Sequence, residues 1–489
     1  MPRSPRFVAA CVAALAVSLA FCFLGLRGVW DPDEGRYTNV ALVMLDTGDW
    51  LTPMRNGETG HWTKPPMTYW LVAASVAVFG QHAWAARLPI ALAYLLCAWF
   101  AGRTARVLAP GSGTKASLVF ATMLAPFGAA HLVTTDFLLA AACAAAMHAY
   151  VRSRFGAHPD PRWLAAMGAA FGVAFLIKGP PGLLPALAIA VFAAIVRVPG
   201  AGRWRWHGVG LACFAAVALP WYMVVVARHE GLLAYFLGAE LVDRVATNRF
   251  DRNGEWYGWL KVYGPMLLLG SLPWTGALWR WLRTWPTTLR GGRDATLREA
   301  RADQWLLLAW IGLPLLVFCF AQSRLPLYVL PLFVPIALAV ACALPERLPR
   351  WPWFAAWVAV LLGVRIVAAH WPTQIDAAAW AEAITARVDA PVRRVVFVED
   401  KARWGLHLHL DAQVERHSRE ARDEPAFGRG FDAHFATALA TGAVAGTVYV
   451  VPVALWEELQ AVVEAEGFIA HAHGEPHLGR QVFGLRPSR

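Results

Sequence analysis

The sequence predicts a polytopic α-helical membrane protein with a small α/β domain at its C-terminal end. The 489 residues are 58% hydrophobic and only 16% charged, whereas a soluble domain is roughly 45–50% apolar and about 25% charged. Apolar runs of membrane-spanning length recur as far as about residue 370. Beyond that point the pattern changes to short strands and polar helices.

The apolar runs predict about eleven membrane spans. A further run, 67–80, is too short to cross. If it did cross, four loops rich in Lys and Arg would lie outside the cytoplasm, whereas without it all four lie inside, as the positive-inside rule requires. We therefore expect 67–80 to be a juxtamembrane or re-entrant helix on the outer face. The predicted spans cover roughly 7–26, 84–107, 115–133, 136–151, 163–177, 181–197, 208–227, 258–282, 304–321, 325–343 and 351–370.

This arrangement predicts a cytoplasmic N-terminus, a first outer loop over 28–83 and two domains. The first domain, 1–370, holds the spans, and the second, 371–489, is the outer α/β domain. The first apolar run is about nineteen residues long, which exceeds the ~7–15 of a signal peptide, so we expect it to remain uncleaved. In the second domain, "VRRVVFVED", "GTVYVVP" and "GRQVFGLRP" read as strands and "WEELQAVVEAEGF" as a helix.

The net charge of +11 indicates membrane lipids rather than nucleic acid as partners, because the basic residues lie in short loops between apolar runs. All seven cysteines lie inside apolar runs, so no disulfide framework or zinc site is implied. Paired histidines, His407 with His409 and His471 with His473, are formal metal candidates. Alternating histidines on the strands of a polar domain are more often exposed than metal-bound.

The first outer loop begins with an acidic pair, Asp33 and Glu34, in "DPDEGRYTNVALVMLDTGDW". Apolar residues follow at helical spacing, which predicts a short amphipathic helix in the membrane interface. Asp33 stands where an N-cap would stand, and capping is the structural alternative to catalysis. The apolar positions of this helix are Tyr37, Val40, Ala41, Met44 and Leu45.

Other ionisable groups lie at the outer ends of predicted spans, where charge is costly and usually functional. Asp136 follows two threonines and has the same capping alternative. Lys64 precedes two prolines that fix its position at a helix start, and the alternative is a lysine that snorkels to the lipid surface. Lys178 in "IKGPPG" has the same two interpretations.

Two further pairs are spaced four residues apart, so that each shares a helix face. Arg324 and Tyr328, in "SRLPLYVLP", have the chemistry of a phosphate clamp. Their alternative role is to anchor the membrane interface. Glu240 and Arg244 form either an intrahelical ion pair or a positioning pair for a substrate or a divalent cation.

We expect these residues to converge on one cavity at the outer face, with carboxylates for base chemistry and cations for a phosphate. Nucleotides are not supplied outside the cytoplasm, so a transferase there would use a lipid-linked phosphate donor. The predicted roles are proton removal from an acceptor by Asp33 and stabilisation of the departing phosphate by Lys64 and Arg324.

Six segments between about residues 28 and 345 resemble the glycosyltransferase C superfamily, in the family's order. The similarity is to the lipid A aminoarabinose transferases and the protein-mannosyltransferase-like enzymes. Two positions depart from the family: Thr63 and Leu241 stand where it often has an acidic residue and a histidine. The segments are "DEGRYTNVALVMLDTGDWLTPMRNGETGHWTKPP", "WAARLPIAL", "TTDFLLA", "FLIKGPPGLL", "GSLPWT" and "SRLPLYVLP".

The resemblance implies an inverting glycosyltransferase of the bacterial inner membrane. It would move a sugar, possibly 4-amino-4-deoxy-L-arabinose or another pentose or hexose, from polyprenyl (undecaprenyl) phosphate to lipid A or another periplasmic acceptor. By motif match, Asp33 and Asp136 are the catalytic carboxylates, and Lys64, Arg324 and Tyr328 contact the donor phosphate. No cofactor is certain, and a divalent cation is possible. The supporting residues are Glu34, Arg36, Tyr37, Lys178, Glu240 and Arg244.

Three other functions are compatible with the same composition. A protein O-mannosyltransferase-like enzyme would use the same donor chemistry on a different acceptor. A flippase of lipid-linked sugars would show inverted repeats and broken helices near the bilayer midplane, but the sequence contains no internal repeat and its polar groups gather at one face. A non-catalytic assembly protein would not need Asp33, Asp136 and Lys64 together.

Overall fold

The computed structural model describes residues 4–196, 204–243, 252–292, 294–345, 351–442 and 444–488. It divides into two compact units. We call Met1–Phe23, Ile90–His131 and Thr135–Ile366 the helical unit, and Leu24–Pro89, Leu132–Thr134 and Val367–Arg489 the sheet unit. The sheet unit therefore contains the whole of the predicted first outer loop, 28–83, together with the C-terminal residues.

The helical unit consists of the apolar runs, and every predicted span is helical over most of its described length. Most of these helices have an apolar core side and an apolar exposed side, as expected for helices that meet lipid. They are Pro5–Phe21, Ala83–Leu108 (from Ile90), Gly113–Thr122, Leu124–Ala129, Thr135–Arg154, Trp163–Lys178, Pro180–Leu183, Leu184–Ile195, Trp204–Arg228, Leu232–Tyr235, Phe236–Val242, Gly258–Gly270, Thr275–Leu282, Trp285–Gly291, Ala295–Ala300, Ala302–Phe320, Pro326–Leu332, Phe333–Ala343 and Trp351–His370.

Five helices in the described part of the chain are long and apolar enough to cross a membrane. Other predicted spans are divided by a proline. The run 115–133 breaks at Met123, because Pro126 has no N–H to bond the carbonyl of Thr122. The indole of Trp357 donates to that carbonyl instead (2.9 Å). The five helices are Ala83–Leu108, Trp204–Arg228, Ala302–Phe320, Pro326–Ala343 and Trp351–His370.

The sheet unit contains a six-stranded mixed sheet, which confirms the strands predicted near its C-terminus. The strands are β1 (Arg394–Val398), β2 (Gln413–Ser418), β3 (Ala433–His434), β4 (Thr447–Pro452), β5 (Phe468–Ala472) and β6 (Arg480–Pro487), in the order β3-β2-β1-β4-β6-β5. β1 lies parallel to β2 and β4, whereas β6 is antiparallel to β4 and β5. Alternate residues of β1 enter separate apolar cores on the two faces of the sheet.

The helices of the sheet unit include both helices predicted in the first loop. The apolar face of Asp33–Thr47 packs against Met67–Phe79 in one buried core, where Val40 and Met44 meet Tyr69 and Val72. The helix therefore buries its apolar side on protein. The helices are Asp33–Thr47, Met67–Phe79, Ala377–Thr385, Leu406–Leu410, Phe435–Ala440, Val453–Leu455 and Trp456–Ala465.

Within the sheet unit the first-loop helix lies directly on the C-terminal residues. The carboxylate of Asp31 accepts from the backbone N–H of Gly405 (3.3 Å). A Cβ at Gly35 would lie 2.6 Å from the same nitrogen, so only glycine allows this approach. A buried ion pair between Arg55 and Asp432 (2.6 Å) joins the two segments a second time.

Candidate active site

Asp33 is the first residue of its helix, and its side chain is 48% exposed. The preceding Pro32 already has helical dihedrals, and the structure gives Asp33 no capping hydrogen bond. The capping interpretation is therefore wrong, because the helix starts one residue too early for Asp33 to reach its free N–H groups. The carboxylate instead accepts from Arg36, one turn later, which places the predicted supporting arginine beside it.

Glu34, by contrast, is buried and fully engaged. Its carboxylate accepts from Arg27 (2.7 Å) and from two nitrogens of Arg87 (2.8 and 3.0 Å). The backbone N–H groups of Trp30 (2.7 Å) and Val133 (3.2 Å) also donate to it. Burial alone would raise the pKa of Glu34, but the two guanidinium groups outweigh it and lower that pKa to about 2. Glu34 thus stays ionised and fixes the start of the helix, while Asp33 remains accessible.

Arg87 is a functional neighbour that the sequence analysis missed. Its side chain is 1% exposed, and it also donates to the carbonyls of Leu24 (3.0 Å), Arg27 (2.9 Å) and Gly28 (2.6 Å). Arg87 is one of three arginines in the apolar run 84–107, and its position near the outer end of that run was the available signal, since a charge in such a run needs a partner.

Lys64 lies in a group of basic side chains around a buried histidine. Its ammonium donates to the carbonyl of Thr63 (2.7 Å). The hydroxyl of Thr63 lies 2.9 Å from Nε2 of His61. Burial, with Arg36, Arg55 and Lys64 nearby, holds the pKa of His61 well below its usual value. The segment therefore presents cationic groups beside a neutral imidazole.

Tyr37 packs between the acidic helix and its neighbour. It is buried, its ring lies 5.9 Å from that of Tyr69, and the guanidinium of Arg36 lies 5.8 Å from its centroid. This aromatic contact holds Arg36 on the side of the helix where Asp33 accepts from it.

In the helical unit, Asp136 and Lys178 form a buried ion pair. Asp136 is the second residue of helix Thr135–Arg154, so it lies inside the helix rather than at its N-cap. The ammonium of Lys178 also lies 4.3 Å from the ring centroid of Tyr328. The structure therefore brings together three residues that the sequence placed on separate segments.

Arg324 is buried and does not share a helix face with Tyr328. The helix starts at Pro326, and Leu325 before it is extended, because a residue preceding proline disfavours helical dihedrals. The guanidinium of Arg324 donates to the carbonyls of Asn253 (2.6 Å), Glu255 (2.8 Å) and Cys319 (3.0 Å). The helical spacing predicted for this pair is thus wrong.

Three buried polar atoms near Arg324 have no hydrogen-bond partner within the described ranges. They are its own Nε, the hydroxyl of Ser323 and the hydroxyl of Tyr263. Tyr263 interacts electrostatically with Asp136, Arg324 and Tyr328. Buried donors without partners are costly unless a ligand satisfies them. The sequence analysis gave no role to Ser323 or Tyr263. Tyr263 lies within an apolar run, where a hydroxyl gives no local signal, and Ser323 lies beside Arg324, whose charge was the stronger signal.

The structure does not test the predicted pair Glu240 and Arg244, because Arg244 lies outside the described residues. Glu240 lies in the π-helical segment Phe236–Val242 and accepts from the hydroxyl of Tyr235 (3.2 Å). A role for Glu240 and Arg244 in positioning a substrate or a cation remains a prediction.

The residues of the described ranges do not fit a metal site. No group of three or more His, Cys, Asp or Glu side chains there could hold an ion. His407, expected on an exposed strand, is buried in the short helix Leu406–Leu410. Its ring nitrogens meet Asn39 (2.8 Å) and Asp46 (3.1 Å), so it is a packing and hydrogen-bonding residue.

Asp31 is a buried acid whose protonation affects stability. Burial raises its pKa to about 7, despite the Gly405 N–H and the Arg403 guanidinium nearby. An acid whose pKa is raised on folding binds its proton more tightly when folded, so stability falls as pH rises from about 4 to 7.

We expect Asp31→Asn to remove this decline, because the amide can still accept from Gly405 and carries no charge. Thermal melts of the purified parent and variant between pH 4.5 and 8 measure the effect. The variant should gain melting temperature relative to the parent at pH 8 but not at pH 4.5. Parallel pH profiles would contradict the assignment.

Comparison with known proteins places these residues in context. Residues 63–223 match the family model described as dolichyl-phosphate-mannose-protein mannosyltransferase. The undecaprenyl phosphate-α-4-amino-4-deoxy-L-arabinose arabinosyl transferase of Edwardsiella ictaluri is 30% identical over 336 residues. The corresponding transferase 1 of Sodalis glossinidius is 32% identical over 331 residues. Each match covers 64% of this chain and 55% of the relative, so the chain spans little more than half the length of these curated relatives.

Two solved structures share the fold. ArnT of Cupriavidus metallidurans bound to undecaprenyl phosphate superposes with a TM-score of 0.76 at 21% identity, over 98% of both chains. The archaeal oligosaccharyltransferase AglB of Archaeoglobus fulgidus gives a TM-score of 0.55 at 12% identity, over 99% of this chain and 74% of the other. The chain therefore has the glycosyltransferase C fold, and the resemblance stated from its six motifs is confirmed.

Proposed function

We propose that the protein is an inverting membrane glycosyltransferase that takes a sugar from a polyprenyl phosphate and passes it to an acceptor outside the cytoplasm. Undecaprenyl phosphate is the proposed carrier, because the similar arabinosyl transferases are named for it and the similar solved structure binds it. Their name also makes 4-amino-4-deoxy-L-arabinose the first sugar to test. The resemblance to lipid A aminoarabinose transferases makes lipid A the first acceptor to test.

The buried donors that lack a hydrogen-bond partner among the described residues of the helical unit carry this proposal. A departing polyprenyl phosphate accumulates negative charge on its oxygens as the sugar C1 is attacked. Nε of Arg324 and the hydroxyls of Ser323 and Tyr263 need acceptors of this kind. Lys178, held by Asp136 and beside Tyr328, adds a cation. Such charge stabilisation is the dominant catalytic effect in many enzymes.

Asp33 is proposed to act on the acceptor. Its carboxylate is half exposed and forms no cap, so it is available to remove a proton from an acceptor hydroxyl. In a single displacement the acceptor oxygen attacks C1 and inverts it, while the phosphate leaves with the bonding electrons. If the acceptor is a phosphate, it is already ionised, and Asp33 would orient it or the donor sugar. Lys64 is proposed to steady the donor phosphate at the outer face.

The proposal includes the membrane arrangement predicted from loop charge. It has about eleven spans in 1–370, a cytoplasmic N-terminus and the domain 371–489 in the periplasm of a bacterial inner membrane. The bias of Lys and Arg toward one set of loops supports it. Fusions of an enzyme active only in the periplasm, placed after residue 371 and within 152–162, test it: the first should be active and the second inactive.

A second candidate is a transferase with a protein hydroxyl as acceptor. The family model that matches 63–223 favours it, since its description names protein mannosylation. This acceptor requires a general base, so Asp33 would be indispensable, whereas a phosphate acceptor would tolerate its loss better.

Purified protein in lipid nanodiscs, given labelled polyprenyl-phosphate sugars and candidate acceptors, tests both. The proposal expects glycosylated acceptor and free polyprenyl phosphate in equal amounts. Movement of intact donor between leaflets of a vesicle, with no transfer to any acceptor, would instead indicate a flippase.

Tyr263→Phe tests the phosphate site without disturbing the fold. Removal of a buried unpartnered hydroxyl should leave thermal stability unchanged or higher. If that hydroxyl donates to the phosphate, the apparent donor KM should rise by about tenfold or more. Tyr94→Phe is the matched control, because its hydroxyl already donates to the carbonyl of Ala121. The control should lose stability and keep its donor KM, and an unchanged KM in Tyr263→Phe would exclude the contact.

A further inference from the structure

The sheet unit contains a strongly basic cavity. None of the residues assigned to the donor phosphate lines it. It has a volume of about 610 Å³ and is lined by seven basic and two acidic side chains. Five of the basic residues come from the C-terminal segment, where the sequence carries no family motif. Clustered like charges repel each other, so an arrangement of this kind favours a bound anion.

The charges in the cavity are only partly neutralised. Arg55 pairs with Asp432 (2.6 Å) and Arg480 with Asp400 (2.9 Å). In contrast, four cations of the cavity form no ion pair with any residue that the structure describes. They are Lys401, Arg403, Arg416 and Arg429.

Two of these guanidinium groups are held in place by backbone carbonyls. Nε of Arg403 donates to the backbone carbonyl of Gln374 (3.0 Å), and Arg403 is only 5% exposed. Nε and Nη1 of Arg416 donate to Asp400 (2.7 Å) and Gly430 (3.1 Å). Nη1 of Arg403 also donates to the carbonyl of Lys401. Nη2 of each guanidinium has no hydrogen-bond partner in the described part of the chain. Fixed guanidinium groups with open N–H donors match the oxygens of a phosphate.

We propose that this cavity binds the phosphorylated sugar headgroup of an anionic acceptor. Its volume falls in the range of about 300–1,000 Å³ typical of small-molecule sites. Trp404 contributes an aromatic wall on which a sugar can stack, and the guanidinium of Arg55 lies 5.0 Å from that ring.

The cavity also reaches the proposed base. Arg36 lines it and is the ion-pair partner of Asp33. A headgroup bound there would therefore lie beside the carboxylate that acts on the acceptor. The acceptor role rests on the proposed function, whereas binding of the headgroup does not.

The test compares two double variants of the full-length protein in nanodiscs of zwitterionic lipid. Lys401→Gln/Arg429→Gln removes two exposed cavity cations that form no ion pair with a described residue. Arg393→Gln/Arg486→Gln removes the same charge from exposed positions of the sheet unit outside the cavity lining. The probes are lipid A with both phosphates, lipid A with its phosphates removed, and inorganic pyrophosphate as a competitor.

We expect the cavity variant to raise the dissociation constant of the phosphorylated probe about 5- to 30-fold. The control variant should bind like the parent, and the dephosphorylated probe should bind weakly to all three. Competition by pyrophosphate would support recognition of phosphate itself. Failure of pyrophosphate to compete, together with the loss in the cavity variant, would support recognition of the whole lipid headgroup.

Equal affinity of the parent and the cavity variant for the phosphorylated probe would overturn the site. The two proposals fail separately. Cavity-dependent binding without any sugar transfer would refute the proposed function and leave the site intact. Transfer with the same acceptor KM in parent and cavity variant would refute the site and leave the function intact.

Discussion

Asp33→Asn is expected to insert and fold like the parent while losing sugar transfer by about 10²–10⁴-fold, the usual contribution of a general base. Asparagine keeps the size of the side chain and an oxygen that can accept from Arg36. It cannot take a proton. Since Asp33 does not cap its helix, the substitution should not reduce thermal stability. Initial rates with purified donor and acceptor, beside melting temperatures, measure both quantities.

Glu58→Gln is the matched control for this prediction. Glu58 is an exposed carboxylate of the same outer loop, and its neutralisation should leave the rate unchanged. Full transfer by Asp33→Asn would remove the carboxylate from the mechanism. A loss of rate together with a large loss of melting temperature would indicate a structural role instead.

Glu34→Gln is expected to destabilise the protein by about 3–5 kcal/mol, since it leaves two buried guanidinium groups without their counter-charge. The side chains of Arg27 and Arg87 are 9% and 1% exposed, so water cannot replace the carboxylate. Denaturation curves of the parent and the variant in the same detergent give the free energy of unfolding. A variant as stable as the parent would contradict the assigned role of Glu34.

The Glu34 carboxylate should also make the stability of the parent protein sensitive to acid. The pKa of Glu34 is about 2 in the folded protein, well below the ordinary glutamate value of 4.5. A carboxylate whose pKa is depressed on folding stabilises the protein fully above its unfolded pKa and loses that effect as pH falls toward the folded value. The shift corresponds to about 3 kcal/mol. Between about pH 5 and 2 the parent should lose this stability, whereas Glu34→Gln should not.

The sequence predicted best where the signal is local. Composition and apolar runs gave the helical membrane class, and alternating apolar residues gave β1, β4 and β6. The motif Lys64-Pro65-Pro66 correctly preceded a helix, which begins at Met67. In each case the residues that determine the element lie next to one another, so the pattern can be read without the fold.

The sequence predicted poorly those features that depend on distant residues or on the dihedral restrictions imposed by proline. Glu34 pairs with Arg87, which is 53 residues away along the chain, and no local sequence pattern indicates that pairing. His407 is buried by Asn39, 368 positions earlier, rather than exposed on a strand. Arg324 lies outside its helix because Leu325 precedes a proline. Asp33 and Asp136, assigned from motifs, lie at helix starts as expected, but neither is an N-cap.

The measurement that tests the central claim most directly is mass spectrometry of lipid A and surface glycans from cells with and without this protein. The account predicts that deletion removes one sugar-mass modification from an acceptor. The parent chain should restore it, and Asp33→Asn should not. An identical set of glycans and lipid A species in the deletion and parent cells would contradict the proposal of sugar transfer. Full restoration by Asp33→Asn would instead remove that carboxylate from the mechanism.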